Sequence, residues 1–224
     1  MKFILLPFFT AIFFAGNTQT IEEIDKVATL VCENLKESWD DEDGEKRIMD
    51  AFNANWYPFL ETVNPDKREE IGDRFFFRLQ RNCLEFGKIL DLLNPKDANE
   101  DFEDLNTKPP SSISQKEISE FKNHQHLYYQ ESNGTKTYVK IGKKSWKDIF
   151  ADGTYSKLSL KWTGQYEFSL FYKKSNNYTR SNMSVKGDEY NYTLLSKEDG
   201  YFYLALEIPG TKKVQRFKMF FEAN

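Results

Sequence analysis

The sequence predicts an α+β fold: a disulfide-stapled helical bundle followed by an antiparallel β-meander, barrel-like or half-barrel in shape. Three observations carry this prediction. Apolar residues recur at three- and four-residue steps in the first half and at two-residue steps in the second. Charge changes with them: residues 19–108 hold 12 Lys/Arg against 23 Asp/Glu, a net of −11, whereas residues 109–224 hold 18 against 12, a net of +6. Eleven of the twelve tyrosines fall after residue 127, as expected where half-buried strands favour aromatic side chains.

The chain opens on Lys2 and an apolar run, Phe3 to Ala15, interrupted only by Thr10; small residues follow at Gly16 and Thr18. This is the layout of a secretory signal peptide, with processing expected between Thr18 and Gln19. About 13 residues are too few for a membrane-spanning helix, which needs roughly 20. The expected domains are therefore a signal peptide (1–18), a helical domain (19–94), an acidic Pro/Ser linker (95–115) and an antiparallel β domain (116–224). The expected address is exported (periplasmic, cell-surface or secreted), with no transmembrane anchor after processing. Hydrophobic residues at 39 % and aromatics at 16 % suit a folded chain rather than a disordered one.

In the helical half, Ile21, Ile24, Val27, Val31, Leu35 and Trp39 line one face of a first helix. Ile48, Met49, Phe52 and Trp56 mark a second, ending near Pro58. Asn64-Pro65 caps a third, which continues through Ile71, Phe75, Leu79, Cys83, Phe86 and Leu90 to Asn94-Pro95. The simplest outcome is a three-helix bundle. Cys32 and Cys83 adjoin the apolar faces of its first and last helices. In an oxidising compartment they are expected to pair, closing a loop of about 50 residues and contributing roughly 3–4 kcal/mol; the alternative is two separate buried thiols.

The stretch from Asn94 to Gln115, with Pro95, an acidic cluster at 100–104 and Pro109-Pro110-Ser111-Ser112, reads as a linker. Strand patterns follow over 124–130, 136–141, 157–162, 166–173, 189–196, 200–208 and 213–221. Turn pairs such as Asn133-Gly134, Asp152-Gly153, Asp199-Gly200 and Pro209-Gly210 separate most of them. Short turns without intervening helices predict an antiparallel meander.

The order Phe121-Lys122, Leu127-Tyr128-Tyr129, Lys161-Trp162 and Tyr166-Glu167-Phe168, closed by a basic strand, resembles a family of small exported bacterial antiparallel β domains of uncharacterised function. The resemblance spans roughly residues 119–221. Cysteines that members often carry are Ser119 and Gln165 here, and the glycine after the opening Phe-Lys is His124. It implies a β fold opening on a strand at Phe121 and an exported address, and no activity.

Residues that bear chemistry are few. His124-Gln125-His126, read as a strand, would turn both imidazoles to one face, with Glu131 at the spacing of a cupin metal motif. The flanking glycines and a third histidine are missing, so an ordinary polar strand is the expectation and no metal is assigned. Asp40-Asp41-Glu42-Asp43-Gly44 fails the register of a calcium loop and is expected to cap a helix. No Gly-x-Ser-x-Gly elbow, HExxH motif or phosphate-binding glycine loop occurs, so no catalytic residue and no cofactor is assigned.

The strand tyrosines Tyr166, Tyr172, Tyr190, Tyr192, Tyr201 and Tyr203 are candidates for a binding platform, weighed against ordinary sheet packing. Lys143, Lys144, Lys147, Lys157 and Lys161 are expected to meet the acidic helical half, or anionic polysaccharide or lipid head groups; nucleic acid is not expected. Four Asn-x-Ser/Thr sequons, at Asn133, Asn177, Asn182 and Asn191, matter only in a eukaryotic source. The expected function is an exported, non-enzymatic binding or interaction protein whose partner is an envelope protein, an anionic polysaccharide or a small apolar ligand. Its alternative is a lipocalin-like carrier of a small apolar ligand, and a metal-dependent enzyme built on the His-x-His strand ranks third.

Overall fold

The computed structural model of the protein describes residues 19–38, 43–94, 101–124, 126–131 and 133–221. The expected signal peptide and most of the acidic run at 40–43 lie outside these residues. Helices fill the N-terminal half and an antiparallel barrel the C-terminal half, the α+β fold that the periodicities predict.

Helix α1, Ile21–Glu37, begins at a capping box in which Thr20 and Glu23 satisfy each other's backbone N–H groups. It buries Ile24, Val27, Ala28, Val31 and Leu35, the face read from the sequence. The second helical segment does not stop at Pro58. Helix α2, Gly44–Ala51, passes through a π turn at Phe52–Trp56 into α3, Tyr57–Thr62. Proline lacks an N–H and crowds the carbonyl four residues back, and the widened turn relieves both problems without ending the helix. The third predicted helix is in fact two, α4 at Arg68–Asn82 and α5 at Leu84–Leu93, because Cys83 is extended (φ −115°, ψ 112°). The break lets α5 turn back, so that Phe86 and Ile89 join Leu79, Val31 and Leu35 in one core. Cys32 and Cys83 form the predicted disulfide across that core.

Within the stretch expected as linker, the described residues from Asp101 onward contact the barrel. Phe102–Leu105 forms strand β1, and Asp101 and Glu103 pair with Lys218 and Arg216. Ser111 and Ser112 bond to the carbonyls of Leu194 and Leu195. Residues 115–123, in the region where the family resemblance implies an opening strand, are helix α6, Gln115–Asn123. It starts at a Ser114/Glu117 capping box and buries Ile118 and Phe121 completely. The strand expected at 124–130 therefore begins only at Leu127.

Eight strands close the barrel: β2 (Leu127–Gln130), β3 (Lys136–Gly142), β4 (Ser145–Ile149), β5 (Tyr155–Trp162), β6 (Glu167–Ser175), β7 (Glu189–Glu198), β8 (Tyr201–Glu207) and β9 (Val214–Phe221). Each pairs with the next, and β9 returns to β2 through Leu127↔Phe221 and Tyr128↔Phe220. The rest of that edge of β9 pairs with β1, Phe102 facing Phe217. Alternation decides what points inward: Leu158 and Leu160 on β5, Phe168 and Leu170 on β6, Phe202 and Leu204 on β8, Phe217 and Met219 on β9. Helix α6 plugs one end, Phe121 meeting Phe168 and Phe202. At the other end lies the short helix α7, Tyr178–Met183, in the β6–β7 connection. The bundle's α4 packs onto it: Tyr178 hydrogen-bonds Asp73, and its ring meets Phe77 edge-on.

Candidate functional site

Beneath α7 and α4 the barrel is not filled. A cavity of about 280 Å³ remains, walled by residues from β1, β2, β4 to β9, α7 and α4. A dry void of this size would cost several kcal/mol, but the lining is mixed and water can occupy it. Phe102, Leu158, Leu206, Ile208 and Phe217 form the apolar part of the wall. Below it, Trp146 and Tyr192 stack near Phe168, Tyr192 lying parallel to Phe168 at 5.1 Å between ring centres.

Four elements supply the polar groups that meet inside the cavity, while Gln80, Arg81, Ser156, Tyr172 and Gln215 add to its lining. Strand β2 carries Tyr129 and leads into Glu131; β4 turns Asp148 inward; β7 supplies Tyr190 and Tyr192; α7 delivers Arg180. Asn177 caps α7 by accepting from the Arg180 N–H, which fixes where that side chain enters. The Arg180 Nη2 donates to both Glu131 oxygens at 2.8 and 3.0 Å, and Thr137 Oγ1 donates to Glu131 Oε1 at 2.9 Å. Burial opposes the charge on Arg180, but Tyr129, Glu131 and Asp148 around it hold the guanidinium firmly protonated.

Asp148 is different. It accepts one hydrogen bond, from Trp146 Nε1 at 2.7 Å, and makes no ion pair among the described residues. Burial pushes its carboxyl up to about 6, against the opposing pull of Trp146 and Arg180. Burial also raises the Tyr129 and Tyr192 phenols, so both stay neutral donors at physiological pH. At the mouth, Tyr190 Oη lies 2.6 Å from Ser184 Oγ and accepts from Arg81 Nε at 3.0 Å, tying α4 to the rim. The cavity thus offers an apolar wall, four tyrosine side chains, the carboxylate-paired Arg180 and, in Asp148, one carboxylate with acceptor capacity to spare.

Of the six tyrosine candidates, Tyr172, Tyr190 and Tyr192 line the cavity. Tyr166 lies on the surface, and Tyr201 and Tyr203 pair edge-on at 5.1 Å on β8's other face, next to Lys218 and Arg216. The metal candidates do not converge. His124 caps the C-terminus of α6 against Phe221, His126 is exposed, and Glu131 is committed to Arg180 inside the barrel. Among the described residues, the acidic, histidine and cysteine side chains that converge as metal ligands would are Cys32, Cys83 and Glu85, where the sulfurs are already bonded.

Sequence reasoning missed Tyr129, Asp148, Arg180 and the Phe102–Phe217 wall. Asp148 did leave a signal: in Ser145-Trp146-Lys147-Asp148-Ile149 a carboxylate falls in phase with a tryptophan, where an apolar residue belongs. Among the described residues, none of the five lysines singled out from the sequence pairs with a carboxylate of the helical half. No helix among those residues is long and apolar enough to cross a membrane. No protein-family model matches the chain, and neither a curated protein nor a solved structure is significantly similar to it.

Proposed function

We propose that the protein is an exported, lipocalin-like carrier: a binding protein that holds one small, mainly apolar ligand in its barrel. The carrying observation is the closed eight-stranded barrel with a cavity of about 280 Å³ at its capped end. Barrels of eight strands have room for side chains or for one small ligand, and here the polar groups converge on the space instead of filling it. The apolar body of the ligand rests on Phe102, Leu158, Leu206 and Phe217. Its polar group is a hydrogen-bond donor, an amine, amide or hydroxyl, that meets the free acceptor of Asp148, while Tyr129 and Tyr192 orient it. The disulfide supports the exported address, since such bonds persist in oxidising compartments, and so does the N-terminal sequence.

Native mass spectrometry of the protein purified from its own source tests the proposal. One non-covalent small molecule per chain is expected, and its loss from Leu206→Trp, which fills the cavity. Wild-type protein without any adduct, or an adduct that survives in the filled variant, overturns it. The mature chain recovered in that experiment should start at or near Gln19; an intact Met1 would remove the export part.

A further inference from the structure

The outer wall of the barrel carries a feature that the cavity does not use. On strands β3 to β6, Lys140 stands directly opposite Lys147, Lys147 opposite Lys157, and Lys157 opposite Lys174. Directly opposed residues share a face, so four ammonium groups form one row across four neighbouring strands. At about 4.8 Å between strands the row is roughly 15 Å long. Lys143, Lys144 and Lys161 extend the positive surface toward the β3–β4 turn, all of them exposed.

Like charges placed directly opposite one another destabilise a sheet, and the one offsetting contact is aromatic rather than anionic. Lys147 and Lys157 lie over the ring of Tyr155, at 5.0 and 5.2 Å from its centre. None of the four makes an ion pair among the described residues. Elsewhere in this half of the chain, Lys108, Arg180, Lys197, Arg216 and Lys218 are each paired with a carboxylate. Nor do the lysines guard a sheet edge, the usual reason for exposed lysine on strands, because β3 to β6 are interior strands of a closed wall. The one carboxylate on these strands near the row, Asp148, points inward.

We propose that this wall docks a linear anionic polysaccharide, a sulfated or uronate-bearing glycan chain. Charge complementarity selects a polyanion, and the single-file arrangement matches a chain whose fixed charges also run in line. The rings of Tyr155 and of the exposed Tyr138 lie beside the row, where the apolar face of a sugar can pack. A bilayer surface would instead favour protruding aliphatic side chains, whereas Ile149 and Phe171 on this face are half-buried. Cargo in the barrel and a glycan on its wall are separate sites, so either can fail without the other.

Binding of the full mature chain to a fluorescent heparin oligosaccharide, followed by anisotropy over a salt series, tests this. Binding that weakens steeply with salt is expected. The Lys147→Gln/Lys157→Gln variant should bind at least about tenfold more weakly, and Lys147→Arg/Lys157→Arg should retain binding. A variant with the same charge change elsewhere, Lys186→Gln/Lys212→Gln, should bind like wild type. The row variant should unfold at the same or a higher temperature, because repulsion has been removed; this separates lost binding from lost fold. Absence of binding at low salt, equal loss in the two Gln variants, or lysine-dependent binding to phosphatidylglycerol vesicles without binding to the oligosaccharide would each overturn the proposal.

Discussion

Asp148 concentrates the chemistry of the barrel in one side chain. Its carboxyl titrates near 6 because burial disfavours the charge more than Trp146 and Arg180 favour it. In the unfolded chain the same group titrates near the ordinary aspartate value of about 3.9. A folded-state pKa above the unfolded one means that the folded protein binds the proton more tightly. The associated stability is fully present below about pH 4 and is lost as pH rises through about 6. Ionised Asp148 therefore costs the empty barrel on the order of 3 kcal/mol at neutral pH. Asp148→Asn keeps an acceptor for the Trp146 N–H and removes the titration. Urea unfolding at pH 4.5 and 7.5 should find the variant more stable than wild type at the higher pH, with the difference clearly smaller at the lower. Parallel stability–pH curves would show that Asp148 is solvated well enough to ionise freely. A carboxylate that costs stability until a donor arrives is the arrangement a ligand-binding group needs, and Glu131, already matched to Arg180, lacks it.

Elements were legible where one rule acted alone and obscured where two competed. The stripe of α1 and the alternation of β5 and β6 lie in plain sequence. Strand β4 was hidden because inward Asp148 breaks the period-2 apolar signal, so the residue that serves the site erased the evidence for its strand. Helix α6 was readable from Ser114 and Glu117 as a capping box with Ile118 and Phe121 on one face, but its shortness and the Phe-Lys resemblance favoured a strand. Strand β1 looked like linker because its acids are solvated in isolation; only opposite Lys218 and Arg216 do they become a ladder. The break at Cys83 left no trace in an apolar pattern that runs through it. That element yields its own test. Cys83→Ser should lower the stability of the helical half by about 3–4 kcal/mol. Thiol labelling of the unreduced, denatured wild type should find no free cysteine; two reactive thiols would remove the disulfide.

Across the whole molecule, the helical bundle serves as the barrel's cap. Its α4 sends Arg78, 3 % exposed, into the junction, where the guanidinium bonds Asp25 on α1 at 2.6 and 2.7 Å, the Met183 carbonyl of α7 at 3.1 Å, and Asp188. One buried cation thus ties the first helix to the connection that carries Arg180 into the cavity. Removing a partner from such a buried cluster strands the remaining charges, at a cost of about 3–5 kcal/mol. The same contact should make the two halves unfold together. Trp39 and Trp56 belong to the helical half of the chain and Trp146 and Trp162 to the barrel, so variants retaining one tryptophan pair report each half separately. For wild-type Arg78 the two urea transitions should coincide. With Arg78→Ala the bundle should unfold at lower urea than the barrel, because the loss falls on the junction while the barrel keeps its closed ladder and its α6 plug. Separate transitions in the Arg78 background would mean that the bundle is an independent neighbour. Coincident ones that part on mutation make it a lid whose coupling to the barrel depends on Arg78 beyond the contacts of Asp73, Phe77 and Arg81, and place control of access to the cavity in α4.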